Sequence, residues 1–286
     1  MVRGWGDKLF NTVVYIVLTL VGLSAVLPIL YVAAVSVTPY AEVLKNGGYV
    51  LVPTELTLAA YRKIFGTSDI LRSFQITLFV TTVGTAINLL LTMLTAYPLS
   101  RRALPHRNLF LFLVVFTMLF SGGIIPTYLV VKSTGLLDTV WALIIPSAIS
   151  SFNVLIMKSF FEQLPEEIFE SARMDGASEA RLLLRIVVPL STPALVTIGL
   201  FYGVAHWNQF FAAIMYITDR SLFPLQIVVR ELLMQTVEQM ESPENMVPTV
   251  TMQMAAVMVA VVPVVVIYPF LQKHFTKGML LGSIKG

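Results

Sequence analysis

His206, Asn208 and Gln209 stand beside Tyr202 and Trp207 inside one long apolar run, and Asn88 stands inside another. Polar groups at that depth are costly in hydrocarbon and normally face protein or a cavity. Aromatic rings beside amides can stack on a sugar and hydrogen-bond its hydroxyls. Hydrogen bonding between helices is the plainer use of the same groups. At helical spacing Tyr202, His206 and Gln209 share a face and Asn208 lies on another. Covalent chemistry finds no support. The chain has no cysteine, so disulfides, thiolate metal sites and cysteine catalysis are excluded. Its three histidines (His106, His206, His274) are far apart, without a metal-ligand spacing. No G-x-x-x-x-G-K-[ST] phosphate loop is present, and no catalytic triad can be assembled.

The elements that must position these groups are membrane helices. The chain is 57% hydrophobic and 12% charged, with a mean hydropathy of +0.82, well outside the range of soluble domains. Six apolar runs, each long enough for a hydrocarbon core of about 30 Å, cover 12–37, 74–99, 109–131, 139–157, 194–217 and 250–271. They predict an all-α polytopic membrane protein, one transmembrane domain over 1–286, with a cytoplasmic loop at 158–193 and a tail at 272–286. The first run is far longer than the core of a cleaved signal, which is about 7–15 residues, and is expected to remain as a helix.

Lysine and arginine set the orientation. With both termini inside, twelve of the nineteen basic residues fall on the cytoplasmic side and seven outside. The short turn 100–108, with Arg101, Arg102 and Arg107 and no acid, is the strongest single vote. Basic Arg62, Lys63 and Arg72 lie outside, with Asp69 among them; scattered solvated charge explains them, and they select no substrate.

The most polar stretch between two apolar runs is 166–189, placed in the cytoplasm. Pro165 suits a helix start, and Glu166 and Glu167 favour the first turn. Leu164, Ile168 and Ala172 recur every four residues with Phe169 beside them, a stripe expected to project into the cytosol. Gly176 supplies the left-handed conformation that stops a helix, and Ser178 can cap the next. A helix resting on lipid headgroups is the bland alternative. Six acids against four bases over 158–185 suit an anionic leaflet poorly, and docking in a protein groove fits better.

The pattern Glu170-Ser171-Ala172, three residues, Gly176, nine residues, Ile186, one residue, Val188-Pro189 resembles the cytoplasmic E-A-A loop of binding-protein-dependent ABC importer permeases. Ser171 replaces alanine and Val188 replaces leucine. The stretch from His206 to Phe210 resembles the W-N-x-F element of sugar-importing permeases. The ending, with Phe275, Lys277, Gly278, Gly282, Lys285 and Gly286, resembles that of the maltose-transporter-type second permease. The whole is most similar to the branch handling complex oligo- and polysaccharides, including lipoprotein-linked and alginate-type systems.

The resemblance implies a non-catalytic pore subunit in a bacterial inner (cytoplasmic) membrane. Its implied partners are a second homologous permease, a cytosolic ATPase dimer, an extracytoplasmic solute-binding protein, an oligosaccharide and membrane lipid, with no nucleic acid. No cofactor belongs to this chain; ATP and magnesium bind the ATPase. The implied coupling residues are Ile168, Phe169, Glu170, Ser171, Ala172, Asp175, Gly176, Ile186 and Pro189. Lys277, Gly278, Lys285 and Gly286 would reach the ATPase from the tail. Asn88, Tyr202, His206, Trp207, Asn208 and Gln209 are the candidates for the substrate path. The rival is a stand-alone ion-coupled carrier, but none of the six runs contains Asp or Glu to couple protons.

Overall fold

The structure is a computed structural model that describes residues 5–238 and 250–283. In chain order its principal helices are α1 (Trp5–Ser36), α2 (Ser68–Ser100), α3 (Arg107–Leu119), α4 (Ile124–Ser133), α5 (Ser151–Glu162), α6 (Glu166–Met174), α7 (Glu179–Leu182), α8 (Thr192–Trp207), α9 (Leu225–Glu238) and α10 (Val250–Ser283). Among the described residues there is no strand. Helices are the natural solution for such a sequence, because every backbone group must be satisfied internally once water is absent.

Three helices are each long and apolar enough to cross a membrane: α1, α2 and the first part of α10, Val250–Pro269. Three bent pairs pass the same test jointly, which gives up to six spans among the described residues if each pair is one span. The apolar runs at 109–131, 139–157 and 194–217, expected as unbroken helices, are each interrupted. Between α3 and α4 the chain turns by 113° at Gly122 and Gly123, the latter with φ +85°, which only glycine adopts freely. The fourth run begins as short 3-10 turns around Pro146 and bends by 53° into α5. The segment Glu179–Leu190 enters α8 through an 84° bend, at Ser191 and Pro193. Near its other end α8 stops at Trp207; Asn208 folds back and its Nδ2 donates to the Val204 carbonyl at 2.9 Å. A short helix, Phe211–Tyr216, completes that run. An apolar run conceals these breaks because their signals are one or two residues long.

The chain divides into two compact units, one of residues up to Ile70 with Val229–Val262, the other of Leu71–Val228 with the chain from Pro263. The first is built on Val35, Val43 and Val50, with Tyr31, Val250 and Met254 packed against them. The hydroxyl of Tyr31 donates to the Gly48 carbonyl at 2.8 Å, where Gly47 and Gly48 turn the chain at positive φ. The second unit contains the candidate site. Its core runs from Ala96 and Tyr97 on α2 through Met157 and Phe161 on α5 to Ile198 and Tyr202 on α8.

On the side of the second unit that holds Asp138, a carboxylate substitutes for missing backbone partners. Asp138, itself at φ +56°, accepts from the N–H of Thr218 and, at 3.0 Å, from that of Asp219. These two donors hold its pKa below the usual aspartate value. The tie is therefore complete above the ordinary aspartate pKa of about 3.9 and is lost as pH falls through the lower folded value. Asp138→Asn is expected to lower Tm at neutral pH, and the gap from wild type to close in strongly acid buffer. A gap that does not change with pH would deny the carboxylate this role.

Candidate functional site

Helix α6 begins after Pro165 and ends in a two-bond C-terminal motif. Gly176 N–H donates to the Arg173 carbonyl at 3.0 Å, and Ala177 N–H to that of Ala172 at 2.9 Å. Gly176, the first of these two donors, has φ +75°. This is the glycine-terminated arrangement that satisfies the last carbonyls of a helix. Ser178 then caps α7, its side chain accepting from the N–H of Arg181. Stop and cap fall where the sequence places them, while Pro165, expected as the first helical residue, precedes the helix, which begins at Glu166.

The direction of the apolar stripe differs from expectation. Phe169 is fully buried and belongs to the core with Tyr97, Leu99, Phe161 and Leu182; Leu164, Ala172, Ala177 and Ile186 pack against that same core. A nine-residue helix is too short to persist alone, so its greasy face is consumed in fixing it to its own chain. Ile168 is half-buried, and Pro189 is exposed on the turn leading to α8. The face left open carries Glu167, Glu170, Ser171, Asp175 and Met174, the last 88% exposed. Any partner of α6 therefore meets a polar, acidic surface with one thioether.

Arg101, directly after the last residue of α2, fastens this helix. Its guanidinium lies 3.4 Å from the Phe169 ring centre and 4.9 Å from that of Tyr97, within the range of cation–π attraction. It also pairs with Glu166 at 3.6 Å. Tyr97 Oη donates to Glu179 at 2.5 Å, and Arg173 reaches the same carboxylate at 3.1 Å. Arg107, which pairs with Glu162, donates to the Leu99 carbonyl at 2.8 Å. The arginines that served as topology markers are thus also structural members. No sequence signal marks the stacking role of Arg101, because its two rings lie on separate helices.

The candidate substrate-path residues separate. Asn88, Tyr202 and His206 are buried; Asn88 bonds to His206, and Asn88 and Tyr202 each bond to the broken fourth run. Asn88 Nδ2 donates to His206 Nε2 at 3.0 Å and to the Ser147 carbonyl at 3.3 Å. Tyr202 Oη shares a hydrogen with Thr92 Oγ1 at 2.7 Å and accepts from Ser150 N–H at 3.0 Å. Gln209 Nε2 donates to the Leu143 carbonyl at 2.9 Å. Asn208 is exposed and serves its own helix. Trp207 packs edge-on against Phe74, centroids 6.1 Å apart, and contributes to a groove of about 670 Å³ with Thr81, Thr85, Gly199, Gly203 and Tyr268. Gly84 was not singled out by sequence reasoning, yet a Cβ there would lie 2.7 Å from His206 Nε2.

Of the tail residues, Lys277 and Gly278 lie within α10. Lys285 and Gly286 lie outside the described residues.

Residues 78–281 match the family described as the inner membrane component of binding-protein-dependent transport systems. The chain is 46% identical, over 98% of its length and 99% of the relative's, to the polygalacturonan/rhamnogalacturonan transport system permease YtcP of Bacillus subtilis. It is 48% identical to the protein LplC of the same organism, over 93% and 91% of the two chains. A crystal structure of a bacterial ABC transporter involved in import of the acidic polysaccharide alginate contains a chain with TM-score 0.87 and 30% identity, covering 95% of this chain and 98% of that one.

Proposed function

Because this chain belongs to the family of inner membrane components of binding-protein-dependent transport systems, we propose that it forms half of the translocation path of an ATP-driven importer of acidic oligosaccharides, fragments of uronic-acid polymers. It pairs with a second homologous permease, two cytosolic ATPase subunits that carry the ATP and magnesium, and an extracytoplasmic solute-binding protein. Both termini and α6 face the cytoplasm. The observation that carries the substrate class is the likeness, along nearly the whole chain, to a polygalacturonan/rhamnogalacturonan permease; the alginate importer is a second acidic case.

In this reading the polar face of α6, with Glu167, Glu170, Ser171, Met174 and Asp175, seats in a groove of the ATPase, while Lys277, Gly278, Lys285 and Gly286 extend toward it from the tail. Closure of the ATPase dimer displaces α6. Phe169 and Arg101 pass that displacement to α2, and the core around Phe161 passes it to α5. This chain supplies shape and linkage, and hydrolysis is performed elsewhere.

The test is purification of the tagged chain from its native membranes, identification of what accompanies it by mass spectrometry, and assay of ATP hydrolysis. An ATPase and a second permease should co-purify. Hydrolysis should rise severalfold with a binding protein loaded with oligogalacturonide and not with one loaded with a neutral maltodextrin. A chain that emerges alone, without ATPase activity, would overturn the reading.

A further inference from the structure

The fourth span opens with backbone that is not α-helical. From the 3-10 turns at Val140–Ser147 to the start of α5, backbone groups of a segment apolar enough to form part of a span lie outside α-helix. Non-helical backbone is tolerated there only where protein groups satisfy it. Three side chains from two neighbouring helices and the turn after α8 do so. Gln209 donates to the carbonyl of Leu143, Asn88 to that of Ser147, and Tyr202 accepts from the N–H of Ser150. These contacts are spaced along the break, one near each end and one between.

His206 completes the arrangement. Asn88 Nδ2 can only donate, and at 3.0 Å from His206 Nε2 it requires that nitrogen to be the acceptor, with the ring proton on Nδ1. The imidazole therefore holds the amide with one hydrogen directed at the Ser147 carbonyl. Gly84 lies one helical turn before Asn88 on α2, and its missing side chain admits the imidazole. Asn88, Tyr202 and His206 are each at least nine-tenths buried, away from any surface a passing sugar would touch.

We propose that Asn88, Tyr202, His206 and Gln209 are positioning residues that lock the 53° bend of the fourth span, with Gly84 as the space that lets the lock close, and that they serve transport through that bend and not by contacting substrate. This rests on the transport role of the chain, but not on which saccharide is carried.

The test uses the assembled transporter in lipid nanodiscs, comparing wild type with Tyr202→Phe, Gln209→Leu and Gly84→Ala. Amide exchange is followed by mass spectrometry in the peptide covering 143–151. Tyr202→Phe removes a single oxygen and preserves packing; the Ser150 amide should exchange about tenfold faster, the size expected when a buried donor loses its partner. Exchange across α6 should not move. In proteoliposomes, with the oligogalacturonide-loaded binding protein, kcat for uptake should fall about five- to tenfold in Tyr202→Phe and Gln209→Leu, with KM within about twofold. Unaltered exchange at 143–151 in all three variants would overturn the lock. A rise in KM at constant kcat would overturn it in favour of substrate contact. If wild type itself takes up no oligogalacturonide, the substrate class fails, while the exchange data still decide the lock.

Discussion

Gly176→Pro is expected to abolish substrate-stimulated ATP hydrolysis by the assembled transporter while the chain still inserts and is recovered from membranes. Gly176 sits at φ +75°, and proline is confined near −65°. The substitution also removes the N–H that donates to the Arg173 carbonyl, and it tilts the following Ala177 away from Ala172. Both bonds that end α6 are lost together, so the helix and the start of α7 separate. Alanine at the same place is the informative control. A Cβ there would meet nothing within 4 Å, leaving only the left-handed backbone penalty, about 1–2 kcal/mol for an L-residue. Gly176→Ala should therefore retain partial coupling, and Gly176→Asn more. Full coupled activity in the proline variant would remove α6 from the mechanism.

Phe169→Ala should destabilise the end of the second unit that holds α6 more than any other single truncation in that helix. The ring is fully buried among Tyr97, Phe161 and Leu182, and removing such a ring costs on the order of 3–5 kcal/mol. It also takes away one of the two faces on which the Arg101 guanidinium rests. The expected results are a lowered Tm, rapid tryptic cleavage at Arg173 and Arg181, and weak retention of the ATPase. Phe169→Leu refills most of the volume without the π face. Its remaining deficit should match that of Arg101→Gln and should not add to it when the two are combined. Additive deficits would mean that the stack carries no energy of its own. A Phe169→Ala protein as stable and coupled as wild type would place the docking of α6 elsewhere.

What the sequence makes legible here depends on the range of the interaction involved. The apolar runs and the glycine stop of α6 are local: hydrophobic length locates the first, and the demand for a left-handed residue locates Gly176. Membership of the family is legible from the spacing around Glu170 and Gly176. The direction of the stripe on α6 is not. Periodicity identifies Leu164, Phe169 and Ala172 as one face, but whether that face meets a partner or the chain's own core is a tertiary fact, and the core takes it. The interruptions near Gly123, Pro146 and Asn208 were available as single-residue signals, outweighed by the surrounding hydrophobicity. Asn88 and His206 drew notice as polar groups at depth. Their pairing across 118 residues, and the clearance that Gly84 gives them, have no local signature.

The contrast between α1 and α2 bears on how the protein is made. The apolar window of α1, within Gly6–Ser36, has none of its residues buried by the rest of the chain, whereas 28% of the corresponding window of α2 is buried. A helix whose apolar window buries no residue can enter lipid as soon as it leaves the ribosome, and its 31 residues span roughly 46 Å at 1.5 Å each, more than enough to cross. α2 arrives next, bearing an amide at Asn88 whose two acceptors are synthesised 59 and 118 residues later. Until then that amide must find water, the insertion machinery or the backbone of its own helix. Biogenesis thus has a built-in delay: α1 is settled in the bilayer early, and α2 reaches its final partners only when α8 has been translated.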